Sequence, residues 1–324
     1  MRRAGEVAMT PLLDHLRSGR PHRLPRLVLS PVGVLGMVPW HAARLSDGPA
    51  GPVYACENAV ISHCSTSRQL VDVAARSRLP WDRTQVVIAD PGGTRAMHAE
   101  ARQIAALYPR ATVVGPVDDV PEPDGPGTRP PPRAASAAEV RSFLPGRGDA
   151  GAAVCHINCH AVARATPARS SLELHPAARP PQTLTLAEIQ SFAHGRDARA
   201  PGGLLVLANC TSDLALADYD EALTLSTAFL TAGAASVVGS LWAISDDVRT
   251  SLVMYMFHHY LIGRGLPTNP EAVGSPADAL RAAQLWMLDP HRTVPPALTH
   301  LVKPDSGLPL DAPQIWAAFT HHGH

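Results

Sequence analysis

A chain of 324 residues with 45% hydrophobic content is long enough to bury one large α/β core or two smaller ones. Its 28 basic and 28 acidic residues cancel, so nothing marks it as a nucleic-acid binder, and the near-exclusive use of arginine (Lys303 is the one lysine) among abundant Ala, Pro and Gly reads as GC-rich coding bias. No apolar run spans a membrane, the N-terminus lacks a secretory signal, and five irregularly spaced cysteines (Cys56, Cys64, Cys155, Cys159, Cys210) suit a reduced, cytoplasmic protein.

The first strand expected is Arg26–Pro31, "RLVLSP", followed by a Gly-containing turn. Thr84–Pro91 is a second, stopped by Pro91 and the Gly-Gly pair after it. Arg95–Leu107 has the spacing of an amphipathic helix, with Met97, Ala101, Ile104, Ala105 and Tyr108 on one face, and "ATVVG" resumes a strand at Ala111. The density of Pro, Gly and Asp over Gly115–Arg133 predicts an exposed surface loop inserted within one domain.

A helix at Ala135–Phe143 precedes a short apolar strand, Ala152–Ile157. Thr185–Phe192 begins as a capping box, with Thr185 as N-cap and Glu188 three residues on. Leu204–Ala208 is another buried strand, Glu221–Ala232 a helix, Ala234–Gly239 a strand and Asp246–Leu261 a long helix carrying Val248, Leu252, Tyr255 and His259 at helical spacing. Pro276–Leu288 and Ala312–Phe319 close the chain as helices. Strands alternating with helices predict an α/β fold: a doubly wound, mostly parallel sheet flanked by helices. No internal repeat of 20 to 50 residues interrupts this order.

Open α/β sheets carry their chemistry beyond the carboxyl ends of strands. His160 follows the Ala152–Ile157 run in "AAVCHINCHAVA", and Cys210 follows Leu204–Ala208 in "GGLLVLANCTSD". On adjacent strands the imidazole could take the thiol proton and stabilise the thiolate nucleophile, and backbone N–H groups nearby could hold an oxyanion. A free cysteine is more commonly a small buried residue and a histidine a satisfied core residue. Strand-end placement is what singles these two out. "CHINCH" also invites a zinc reading through Cys155, His156, Cys159 and His160, but alternation along a strand would split that set between two faces, and the spacing lacks the C-x-x-C-H of haem attachment. Asp246 and Asp247 start a helix, where they would serve as N-terminal caps or as an acidic pocket for an Arg or Lys of a substrate.

In order along the chain, "RLVLSPVGVLGMVPWHAARL", "VVIADP", "VCHINCHAVA", "SSLEL", "TLAEI", "LVLANC", "DEALTLSTAFLTAGAASVVGSLWAISDD" and "IWAAFTHHG" resemble the bacterial CHAT domain, from about Pro11 to Gly323. The resemblance implies a single caspase-like domain over residues 1–324 and a cysteine endopeptidase related to caspases, gingipains and separase. It implies His160 as catalytic base, Cys210 as nucleophile, the N–H groups of Ala161 and Cys210 as oxyanion donors, and Asp246, with Asp247 beside it, as the contact for a basic P1 side chain. Such chemistry needs no metal or organic cofactor. The expected partner is a protein substrate, with a regulatory or sensor protein besides. Ala161 stands where the family commonly has Gly, Thr211 where it often has Glu, and Ala243 where Pro is frequent. Because CHAT domains usually follow helical sensor repeats, a chain opening inside the first helix is expected to be a fragment or a short form. The rival expectation is a catalytically silent caspase-like interaction module in a bacterial signalling or defence system. A His160 turned into the core would favour that rival.

Overall fold

The computed structural model describes residues 1–19, 23–49, 51–81, 83–90, 92–116, 130–144, 151–162, 164, 166–175, 178–192, 194, 200–208, 224–242, 244, 248–263, 275–302 and 309–324. Thirteen strands lie among them: β1 (Arg26–Leu29), β2 (Arg44–Gly48), β3 (Gly51–Tyr54), β4 (Val60–His63), β5 (Gln85–Ala89), β6 (Thr112–Val114), β7 (Val154–Asn158), β8 (His160–Val162), β9 (Ser171–His175), β10 (Gln182–Thr185), β11 (Leu204–Leu207), β12 (Ser236–Ser240) and β13 (Phe319–Gly323). Eight of these form the main sheet, in the order β1-β4-β13-β12-β11-β7-β5-β6. From β12 to β6 every pairing is parallel; β13 runs antiparallel to β12, and β4 and β1 run parallel to β13. The mostly parallel, helix-flanked sheet expected from the alternating pattern is present.

The central strands are apolar because both faces are covered. Val87, Ala89, Val154, Val206 and Val238 face a layer built from α3 (Arg95–Leu107), α7 (Val248–Leu261) and α8 (Pro276–Leu288). The intervening residues Val86, Ile88, Cys155, Ile157, Leu205, Leu207 and Val237 face α4 (Ala137–Phe143), α5 (Leu186–Ser191) and α6 (Leu225–Ala232). A third, smaller cluster packs Leu13 of α1 (Thr10–Gly19) on Ala55, Ala59 and Ile61. Helix α2 (Ser67–Ala74) adds Val73 to the second layer. Helix α7 is buried almost all round, its apolar run Leu252–Phe257 being covered on every face. Gly203 admits β11 beside β7: a Cβ there would sit 1.9 Å from the Ala152 carbonyl oxygen.

Several boundaries coincide with the sequence expectation, Arg95–Leu107 and Pro276–Leu288 to the residue. The Thr185–Glu188 capping box is formed in both directions, Thr185 N donating to Glu188 Oε2 at 2.8 Å and Glu188 N to Thr185 Oγ1 at 3.2 Å. The loop expected over Gly115–Arg133 is pinned at its ends, Gly115 N donating to Arg133 O at 2.9 Å and Arg133 N to Val113 O at 2.8 Å; residues 117–129 lie outside the described set. The helix expected from Glu221 is described from Leu225, capped by Thr224.

One expectation is corrected in part. The helix expected over Ala312–Phe319 is present only as the short α-helix Pro313–Trp316, capped by Ala312 and Ala317, and Phe319–Gly323 is a fully buried strand. Five residues of β13 pair with β12, covering an edge that would otherwise leave backbone groups unmatched in the core. Phe319, Thr320 and the two histidines are weak helix formers, so nothing local opposes that pairing. Strands β2, β3, β4, β8, β9 and β10 were not foreseen; each has three to five residues, too short for its pattern to stand out.

Candidate active site

The site grows from the end of β7. Cys155, Ile157 and Cys159 point to the α4–α6 layer, whereas His156 and Asn158 point to the α3–α7 layer, so the "CHINCH" set is divided between faces as alternation requires. Beyond Asn158 the helical cover ends. His160 therefore emerges into solvent while His156 and Asn158 are buried. His160 opens β8, the edge of a three-stranded sheet β10-β9-β8, and Ala161 beside it is half-buried.

Across that small sheet His160 stands opposite Glu173 in antiparallel register. Directly opposed residues present their side chains on one face, with Cβ atoms about 5 Å apart. Glu173 is half-buried and its Oε1 accepts a hydrogen bond from Ser171 Oγ at 2.7 Å. Sequence reasoning missed Glu173, because no local motif announces a cross-strand partner.

Strand β11 lies next to β7, Leu207 in register with Ile157, and the ladder extends one step further through Ala208 N donating to Ile157 O at 3.0 Å. Cys210, together with residues 209–223, lies outside the described residues. Asp246 and Asp247 lie outside them too. What is described around them is β12, parallel to β11, Trp242 donating Nε1–H to Gln314 O at 3.2 Å, and α7 from Val248.

The other four cysteines are buried and in no disulfide. Burial pushes the Cys155 thiol up to about 12, and Cys56 likewise to about 12, with Glu57 adding to the burial effect. Cys64 is also raised, first by burial. Such thiols are not poised as nucleophiles.

Beneath the site lies a buried polar chain that links three elements. Asn158 Nδ2 donates to Glu100 Oε1 at 3.0 Å and to Met97 O at 3.2 Å, fastening the end of β7 to α3. His156 Nε2 is 3.3 Å from the same Glu100 oxygen, its Nδ1 is 3.1 Å from His258 Nε2, and His258 Nδ1 is 2.8 Å from Tyr108 Oη. Burial, then the neighbouring His156, hold His258 well below the ordinary histidine range, and burial raises Tyr108. Of α7's two histidines, His258 is the one that turns fully inward. Within the described residues no cluster of three or more His, Cys, Asp or Glu is arranged to hold a metal.

The whole chain, residues 1–324, matches the profile of the CHAT domain, and the chain belongs to that family. Its fold is that of the caspase-like cysteine peptidases. It superposes on the crystal structure of the Arg-specific cysteine proteinase gingipain R with a TM-score of 0.53 at 9% identity, covering 98% of this chain and 66% of that one. The Saccharomyces cerevisiae separase–securin complex gives a TM-score of 0.50 at 11% identity, covering 91% of this chain and 15% of that one. The chain thus spans less than two thirds of either structure's length. No curated protein matches it by sequence. No helix among the described residues is long and apolar enough to cross a membrane.

Proposed function

We infer that this CHAT chain is a cysteine endopeptidase that cleaves a protein after a basic residue, with Cys210 as nucleophile and His160 as base. One observation carries the reading: β7 and β11 are parallel neighbours with Ile157 opposite Leu207, and His160 and Cys210 each follow their member of that pair by three residues. The exposure of His160, rather than its burial in the core, further supports an enzyme over a silent module.

In this reading the His160 imidazole takes the Cys210 proton, and the thiolate attacks the scissile carbonyl carbon. The N–H groups of Ala161 and Cys210 hold the oxyanion while the tetrahedral intermediate stands. Its collapse breaks the C–N bond, and the imidazolium returns the proton to the departing amine. Water, deprotonated by His160, then cleaves the thioester and frees the enzyme. Asp246, assisted by Asp247, accepts the P1 guanidinium or ammonium. The whole of residues 1–324 serves as one peptidase domain, in a reducing, cytoplasmic setting and under a regulatory protein partner.

The test is covalent labelling by peptides that place an electrophile after P1 Arg or after P1 Asp, on the parent and on Cys210→Ala. Labelling of the parent by the Arg peptide, absent in the variant, supports the assignment. Equal labelling of both proteins would move the chemistry away from Cys210, and no labelling of either would favour the interaction module.

A further inference from the structure

A cavity of about 720 Å3 opens over the edge of the main sheet. Leu27, Leu29 and Ile61 point to the α1 cluster, so alternation turns Val28, Val60 and Ser62 to the other face, where they floor the cavity. Its lining carries four guanidinium groups, those of Arg23, Arg26, Arg76 and Arg78, against a single side-chain carboxylate, Asp278.

These arginines are not equivalent. Arg76 is a buried wall post, its Nη1 donating to Leu230 O at 2.9 Å and also to Ala234 O. Arg26 is half exposed; its Nη1 lies 2.9 and 2.8 Å from the two oxygens of Asp278, and its Nη2 reaches Ser275 Oγ at 3.4 Å. Arg78 is solvent-accessible and gives Nη2 to the main-chain oxygen of His324, which leaves Nε and Nη1 without a partner among the described residues. Its guanidinium is held below its ordinary range first by partial burial and then by the positive charge of Arg26. The same two arginines help depress His321, whose Nδ1 is 2.8 Å from Ser62 Oγ on the floor. Among the described residues that line the cavity, this corner carries four guanidinium groups and one side-chain carboxylate, a local excess of positive charge.

A guanidinium fork pairs best with carboxylate or phosphate oxygens, and two forks side by side suit two linked phosphates. The volume is far larger than one phosphate needs and falls within the roughly 300–1,000 Å3 of small-molecule sites. The valine floor adds an apolar surface for an organic group. We propose that this cavity binds a small organic diphosphate, with Arg26 and Arg78 clamping the phosphates and the Val28–Val60 floor receiving the organic part. The exposed His160 is not among the residues that line it, and the proposal does not depend on the assignment of Cys210.

Calorimetric titration of the full chain with ADP and with inorganic pyrophosphate tests it, with sodium sulfate at matched ionic strength as the control. Saturable binding of ADP is expected, weaker binding of pyrophosphate, and none of sulfate. Arg78→Gln should weaken ADP at least about tenfold, the loss of a charge-assisted hydrogen bond. Asp278→Asn, which releases Arg26 from its competing carboxylate, should tighten it. Should Arg78→Gln fail to fold, the Asp278→Asn titration decides. Failure of both ADP and pyrophosphate to saturate, sulfate heats equal to theirs, or variants that bind as the parent does would overturn the proposal. So would saturable binding of an acidic peptide where ADP has none.

Discussion

His156 and His258 meet at 3.1 Å, Nδ1 to Nε2, with both rings fully buried between β7 and α7. Burial, and after it the neighbouring His156, hold His258 well below the ordinary histidine range. His41 is held down to about 4 by burial, partly offset by a hydrogen bond to the backbone of Ala317, and His321 lies well below its usual range, burial being the main cause. In the unfolded chain these groups titrate near 6.5. Below that pH the unfolded state takes up protons that the folded state refuses. Stability is thus complete above about pH 6.5 and falls as pH drops towards the folded values, at about 1.4 kcal/mol per pH unit for each histidine concerned. Urea unfolding between pH 7.5 and 4.5 should show the midpoint falling, and His41→Asn should reduce the slope. A midpoint flat across that range would contradict the burial of these rings as neutral bases.

His160→Ala should remove most peptidase activity at neutral pH. An unassisted thiol has a pKa of about 8.5, so little thiolate remains at pH 7. Alkylation of Cys210 should recover in part as the pH is raised towards 9, because hydroxide then replaces the missing base. Mass spectrometry of labelled Cys210 reads this directly; a rate that ignores the substitution at every pH would separate the two residues.

Asp246→Asn keeps the shape of the side chain and removes its charge. For substrates with Arg at P1, kcat/KM should fall by about 2 kcal/mol or more, the worth of a charged hydrogen bond. Lys at P1 should be the poorer parent substrate, since ammonium lacks the planar fork. Peptides with Arg, Lys, Asp and Leu at P1 decide the matter. An unchanged ranking in the variant would leave Asp246 as a helix cap.

Gly203→Ala should destabilise the fold by about 3 kcal/mol or more, since the added methyl meets a backbone carbonyl that cannot swing aside as a side chain would. Thermal unfolding checks it. The companion change Gly19→Ala, where nothing lies within 4 Å, should cost little by comparison.

Much of the fold is legible along the chain. Apolar runs such as Gln85–Ala89 and Leu204–Leu207 are strands because only full burial on both faces tolerates them, and α3 and α8 carry their own boundaries. Thr185 and Glu188 encode a capping box within four residues. The position of His160 at the end of β7 is legible for the same reason: polarity returns where the apolar run stops. Cross-strand and long-range partners are not. Glu173 meets His160 only through the β8–β9 register.

The sequence by itself determined the alternation of strands and helices, the strand-end histidine and the N-terminal caps, because hydrophobic periodicity and capping act within a few residues. Tertiary structure alone decided that Phe319–Gly323 is a strand, since the open edge of β12 supplies the hydrogen bonds that local preference does not. It alone joined Tyr108 to His258 across 150 residues and Arg26 to Asp278 across 252. Such groups converge because a buried donor must find an acceptor, and no local pattern says where in the folded chain that acceptor stands.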